Sequence, residues 1–240
     1  MSTAEDKQLV INRVREERVD LAKVLKKHTG IRRIVEELYP DSAHFIFELL
    51  QNAEDTGATE VGFELRSDCL SFEHNGRPFS EADILGITDV GEGTKFDDVD
   101  TIGRFGVGFK AVFAYTESPR IWSPTYSFEI NELVLPSLLS DRSDLQGKTR
   151  FEFPFNNPKK PREVAYKEVE GGLRDLAETT LLFLNHLHSI SWKIGDSGGG
   201  TVLRIEHTEN HIEVLKEANG ETTASSHFLR FTQPVEGLTR

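Results

Sequence analysis

The reading of this chain turns on TIGRFGVGFKAVFAY, residues 101–115. Glycines at 103, 106 and 108 come just before an apolar run, Phe109, Ala111, Val112, Phe113 and Ala114, that reads as a helix. Glycine lets backbone N–H groups approach an anion without interference from a Cβ. A helix start adds unpaired N–H groups and a partial positive charge, and Lys110 would add a full one. Together these features describe a phosphate cradle. A tight packing turn would have the same pattern. The order is G-x-x-G-x-G, not the G-x-G-x-x-G of dinucleotide-binding folds. A second phosphate-like string, Gly147-Lys148-Thr149, has Arg142 where a P-loop requires glycine and runs into a strand-like segment, so it is rejected.

Upstream, GITDVGEGTKF (86–96) places Thr94 and Lys95 beside Gly91 and Gly93. It reads as a loop able to close over phosphate, or as a solvated surface loop. Residues 75–110 as a whole carry many glycines and few strand signals, and so long a loop in a compact domain is usually functional. Before it, DSAHFIFELLQNAED (41–55) reads as a helix with Asp41 or Ser42 as N-cap and Gly57 as the stop. Ile46, Leu49, Leu50 and Ala53 supply its buried stripe. Glu48 and Asn52, four residues apart, share another face, with Asp55 near it. A carboxylate, a carboxamide and a second carboxylate aimed together suit a hydrated magnesium ion. A carboxylate beside such an ion could orient and deprotonate a water. The same face also fits a plain solvated surface.

Helical spacing of Leu9, Val10, Val14, Leu21, Val24 and Leu25 predicts helix within residues 1–38. Strand-like runs occur at 60–65, 69–74, 120–124, 126–131, 150–155, 189–194 and 201–207, with a helix predicted over roughly 162–188 and a flexible turn at 195–200. The pattern predicts helices packed on one face of a largely antiparallel or mixed sheet. The 240 residues carry a net charge of −12, which gives no general attraction for nucleic acid or anionic membrane. The single cysteine, Cys69, excludes an internal disulfide and a multi-cysteine zinc site, and the histidines do not pair with it at metal-ligand spacing. No run is long and apolar enough to span a membrane, and a cytosolic setting is the default.

Taken in order, ELLQNAEDTGAT, FEHNGRPFS, GITDVGEGTK, IGRFGVGFKAVF and KTRFEFPF resemble the ATP-binding domain of the ninety-kilodalton heat-shock chaperones, within the GHKL group. LYPDSAHFIFELLQNAEDTGA and LLFLNHLHSISW resemble the sacsin-type branch more closely. The resemblance covers roughly residues 30–195. It implies an α+β fold, the Bergerat α/β sandwich, with a mixed, mostly antiparallel sheet covered on one face by helices and with an ATP lid. Residues 1–30 would be a helical extension, 31–195 the ATP-binding domain, and 196–240 a strand-rich extension leading into a longer protein.

By the same resemblance, Glu48 polarises the attacking water and Asn52 binds Mg²⁺ beside ATP, with Asp55 nearby. Gly103, Arg104, Phe105, Gly106, Val107, Gly108, Phe109 and Lys110 wrap the triphosphate. Gly93, Thr94 and Lys95 belong to the lid, and Thr149 lies on the adenine side. The adenine motif is His74-Asn75-Gly76, where the family's aspartate is replaced by His74 and its second glycine by Pro78. His74 reads either as a base contact or as a structural strand-end histidine. The implied activity is slow, magnesium-dependent ATP hydrolysis. The implied partners are ATP and ADP, with a homodimer through the N-terminal helices and lid, no membrane and no direct nucleic-acid surface. A nucleotide-switched binding module without useful hydrolysis, or the motor of a DNA-handling or defence protein, is the alternative. No phosphoacceptor helix pair of a histidine kinase is evident.

Overall fold

A computed structural model of the chain describes residues 4–27, 44–90, 108–176 and 178–231. In chain order these form α1 (Ala4–Lys27), α2 (Phe45–Asp55), β1 (Glu60–Arg66), β2 (Cys69–His74), α3 (Glu81–Ile87) and a 3-10 turn (Phe109–Ala114). Next come β3 (Arg120–Trp122), β4 (Ser127–Asn131), β5 (Leu135–Leu138), β6 (Thr149–Pro154) and α4 (Arg162–Arg174). A second 3-10 turn (Glu178–Phe183), β7 (Ser189–Ile194), β8 (Gly199–Thr208), β9 (His211–Ala218) and β10 (Glu221–Leu229) complete the order. None of these helices is long and apolar enough to cross a membrane.

All the strands among the described residues lie in one ten-stranded sheet, ordered β10-β9-β8-β7-β1-β2-β6-β3-β4-β5. Neighbours are antiparallel except β1 and β7, which run parallel with Phe63 opposite Trp192. This corrects the expected Bergerat sandwich. The described helices after α1 are short, at 11, 7 and 13 residues. The sheet continues through β8 and β9 to β10, and β10 has no fully buried residue. A two-residue turn at Asn219 and Gly220, both with positive φ, folds β10 back on β9 and lengthens the sheet by one largely exposed strand.

Alternation sets the two faces of the central strands. Val61, Phe63 and Leu65 of β1, and Thr149, Phe151 and Phe153 of β6, are buried, while the residues between them are half-buried. Strand register lines up Trp192, Phe63, Phe72, Phe151, Ile121 and Phe128 across six strands. Ring centroids of Phe63 and Phe72 are 4.8 Å apart, and those of Phe72 and Phe151 are 5.8 Å apart. The α2 ring Phe45 packs on this row through Phe153 at 6.1 Å. On the opposite face Arg142 bonds Glu152 at 2.8 Å and Arg150 pairs with Glu73. Cys69 is buried in β2, and burial first, then the Glu152 charge, pushes its thiol up to about 11.

The predicted helix over 162–188 stops at Arg174 and gives way to the 3-10 turn and an irregular segment. Two charged residues satisfy that segment's backbone. Glu54, from α2, accepts N–H bonds from Asn185, His186 and Leu187 at 2.6, 2.9 and 2.9 Å. Buried Arg204, from β8, donates to the carbonyls of Leu181 and Asn185 at 3.1 and 2.8 Å, and to Leu184. The loop that feeds β7 is thereby held to α2 on one side and to β8 on the other.

Burial is the largest influence on Glu54 and pushes its pKa up, but the N–H bonds from Leu187, His186 and Asn185 together outweigh it and leave the carboxyl below its ordinary value. A carboxyl lowered by folding stabilises the native state above its unfolded pKa and loses that contribution as pH falls through the folded one. Glu54→Ala leaves three N–H groups unpaired and is expected to cost about 1–3 kcal/mol in urea denaturation at neutral pH. The difference from wild type should shrink on acidification below the ordinary carboxyl range.

Candidate functional site

The helix α2 buries Phe45, Ile46, Leu49, Leu50 and Ala53. This stripe leaves Glu48 and Asn52 half-buried on the flank and Asp55 exposed at the C-terminal end. The Glu48 side chain is 21% exposed, with His44 Nε2 3.7 Å from its carboxylate. Neither the Asn52 carboxamide nor the Asp55 carboxylate has a hydrogen-bond partner among the described residues. Desolvation first, and the Glu54 charge second, hold the Asp55 carboxyl above its usual range. The three side chains offer oxygen ligands, those of Asn52 and Asp55 without a hydrogen-bond partner among the described residues, a set that suits a hard cation such as Mg²⁺.

Glu48 lies directly against Gly108. A Cβ on residue 108 would overlap the Glu48 carboxylate and come within 3.2 Å of its Cγ. The backbone there is ordinary, with φ −63°, so the requirement for glycine is one of space and not of conformation. The last glycine of the glycine-rich segment and the acidic residue of α2, 60 positions apart in the chain, are therefore in direct contact. Helix α2 packs on the turn that follows, where Phe109 is buried against Phe151 and Phe153.

Lys110 departs from the expectation. Its side chain is fully buried, and its Nζ donates to the carbonyls of Ile87 and Leu133, each at 2.7 Å. It caps the C-terminal end of α3 and ties down a loop in which Glu132 and Leu133 hold positive φ of 50° and 71°. Such conformations cost on the order of 1–3 kcal/mol for residues other than glycine. The ammonium acts inside the fold and is not presented to a ligand. Burial pulls its pKa down to about 7.

The residues expected on the base side come together through the register of β2 and β6, which pairs His74 with Thr149. Both are buried. His74 Nδ1 accepts from the Gly76 N–H at 3.2 Å, which implies the Nε2–H tautomer. Burial, then the charge of Arg77, lowers its pKa to about 4, so the ring is neutral. Thr149 Oγ1 bonds Ser123 Oγ at 3.2 Å. The Asn75 carboxamide oxygen accepts from the N–H groups of Thr59 and Glu60, fixing the start of β1. A Cβ on Gly76 would overlap Thr56, so the loop lies flush against the end of α2. His74, Asn75 and Thr149 thus have internal partners. Thr56 and Ser123, which seat them, carry no motif signal and are visible only in three dimensions. Gly93, Thr94, Lys95, Gly103, Arg104, Phe105, Gly106 and Val107 lie outside the described residues.

Residues 64–136 match the family model described as the Sacsin domain. The chain is 29% identical over 235 residues to "Protein NO VEIN" of Arabidopsis thaliana, an alignment covering 85% of this chain and 8% of that protein. It is 33% identical over 135 residues to "Sacsin" of Homo sapiens, covering 48% of this chain and 3% of that protein. These similarities support the sacsin-type likeness. The chain spans only a small part of either relative. The matched stretch contains Gly108 and His74, while Glu48, Asn52 and Asp55 precede it.

Between about pH 7 and the ordinary lysine value of 10.5, the folded chain holds fewer protons on Lys110 than the unfolded chain does, so its contribution to stability rises with pH across that window. Lys110→Met should abolish this rise in denaturation curves. At the alkaline end it should cost about 1–3 kcal/mol, because two buried carbonyls lose their donor.

Proposed function

We propose that this chain binds ATP with Mg²⁺ and hydrolyses the terminal phosphate slowly, as the ATP-gated module of a longer protein. The observation that carries the reading is the contact of the Glu48 carboxylate with Gly108 at the end of the glycine-rich segment. It brings the acid/base candidate to the place where a phosphate chain would meet the loop. The likeness to GHKL ATP-binding domains supports this site chemistry, independently of the sandwich architecture that the fold lacks.

Asn52, with the neighbouring carboxylates, would hold the magnesium ion, and the ion when bound offsets phosphate charge. Glu48 accepts a proton from a water as that water's oxygen attacks the terminal phosphorus in line with the leaving oxygen. Backbone N–H groups of the glycine-rich segment receive the phosphate oxygens. Lys110 takes no direct part. His74 and Thr149 support the base side from beneath the surface, and a cytoplasmic setting suits the lone buried thiol.

Calorimetric titration with ATP and a non-hydrolysable analogue, with and without Mg²⁺, tests binding. Asn52→Ala is expected to lose the magnesium-dependent part. Phosphate release should fall about 100-fold or more in Glu48→Gln while nucleotide binding persists. Gly108→Ala should behave like Glu48→Gln, because the added methyl displaces the carboxylate. Native turnover in Glu48→Gln would remove the catalytic assignment, and no binding of either nucleotide would overturn the whole reading.

A further inference from the structure

Away from this site, the outer end of the sheet carries an unusual group of side chains. His207 is the penultimate residue of β8, His211 and Glu213 open β9, and His227 lies on β10. Pairing sets His227 directly opposite Glu213, and His211 is two residues from Glu213 on the same face. A register shift in β8 between Glu206 and Thr208 brings His207 beside them. His207 Nε2 is 2.6 Å from Glu213 Oε2, and His227 Nε2 is 3.8 Å from Glu213 Oε1. The three groups offer ligand atoms all within 4.8 Å of one another. We propose that His207, Glu213 and His227 bind a divalent transition-metal ion of the zinc class, with a fourth position open to water.

Spacing, ligand orientation and the surplus of imidazoles all point to a metal. First, zinc bonds of about 2.0–2.1 Å in a tetrahedron put neighbouring ligand atoms about 3.3 Å apart, and one ligand atom from each of the three residues already lies within 4.8 Å of the others. Second, the ligands are already oriented. His227 Nδ1 lies 2.9 Å from His211 Nε2, which leaves the His227 Nε2 for a metal and gives its other nitrogen the partner that metal-binding histidines need. Ser225 Oγ donates to Glu213 Oε1 at 2.9 Å and fixes the carboxylate. Third, one carboxylate needs a single imidazole to form an ion pair. Here three rings gather around it, with centroids 4.9 Å apart for His207 and His211 and 5.1 Å apart for His211 and His227. Two imidazoles and one carboxylate select zinc-like ions over Mg²⁺ or Ca²⁺, which prefer all-oxygen shells. His207 and Glu213 are partly open to solvent, so the ion has a path in. Its binding would staple β8, β9 and β10 to one another at the outer end of the sheet, and it requires nothing of the nucleotide site.

Titration of the 240-residue chain with Zn²⁺, and with Co²⁺ followed by visible absorption, tests the proposal. The expected result is one bound ion, a tetrahedral or five-coordinate Co²⁺ spectrum, and a Zn²⁺-dependent rise in Tm. The double variant His207→Ala/His227→Ala and the single variant Glu213→Gln should each weaken Zn²⁺ binding at least about 10-fold. Circular dichroism establishes that both variants remain folded, and Glu213→Gln keeps the shape of the cluster if the double variant does not fold. Absence of stoichiometric Zn²⁺ binding, or wild-type affinity in Glu213→Gln, would overturn the proposal and leave the cluster as a hydrogen-bonded surface group.

Discussion

The parallel pairing of β1 with β7 is the constraint on which the rest of the sheet depends. It joins β2, β6, β3, β4 and β5 on one side to the meander β8 to β10 on the other. Parallel neighbours cannot be linked by a tight turn, so the chain must travel out and return to lay β7 beside β1. The return includes irregular backbone between Phe183 and Ser189, whose polar groups must be satisfied. Glu54 takes N–H groups and Arg204 gives donors to carbonyls, one from α2 and the other from β8. The same helix that carries Glu48 and Asn52 is thus held by the loop that closes the sheet.

That coupling explains how so short a helix can position side chains. Helix α2 has 11 residues, too few for independent stability. Its order comes from the aromatic row beneath it, from the Glu54 bonds at its end and from the glycine-edged contact with the turn at Gly108. Residues around the site divide into two groups. Among the described residues Asn52 and Asp55 have no hydrogen-bond partner and Glu48 has only the 3.7 Å contact with His44, whereas Lys110, His74, Asn75 and Thr149 are bonded within the fold. The second group builds the frame that holds the first.

Several elements were legible from pattern alone. The β2 and β7 segments coincide with the predicted runs 69–74 and 189–194 because apolar and polar residues alternate and turn residues flank them. The stripe of α2 is likewise as its spacing predicts. Other local signals were present and outweighed by composition. Ser80 and Asp83 form a reciprocal capping box that opens α3 inside a span read as loop, because its glycines suggested no regular structure. Asn219-Gly220 is a strong hairpin signal, yet the strands around it are polar and do not look like buried β-structure. The helix expected over 162–188 ends early, where the Leu-rich run 181–184 continues an apolar pattern without continuing helical hydrogen bonding.

By itself the sequence determined the central strands, the polar face of α2, the glycine spacing and the likeness to sacsin-type proteins, because each rests on local periodicity or on the order of motifs. Tertiary structure alone decided the continuous sheet in place of a sandwich, the burial of Lys110, the meeting of Glu48 with Gly108 and the gathering of His207, Glu213 and His227. The physical reason is common to all four. Strand pairing, desolvation and steric contact are set by which distant segments become neighbours, and a lysine ammonium or a histidine ring reads the same in sequence whether it faces water, a carbonyl or an ion.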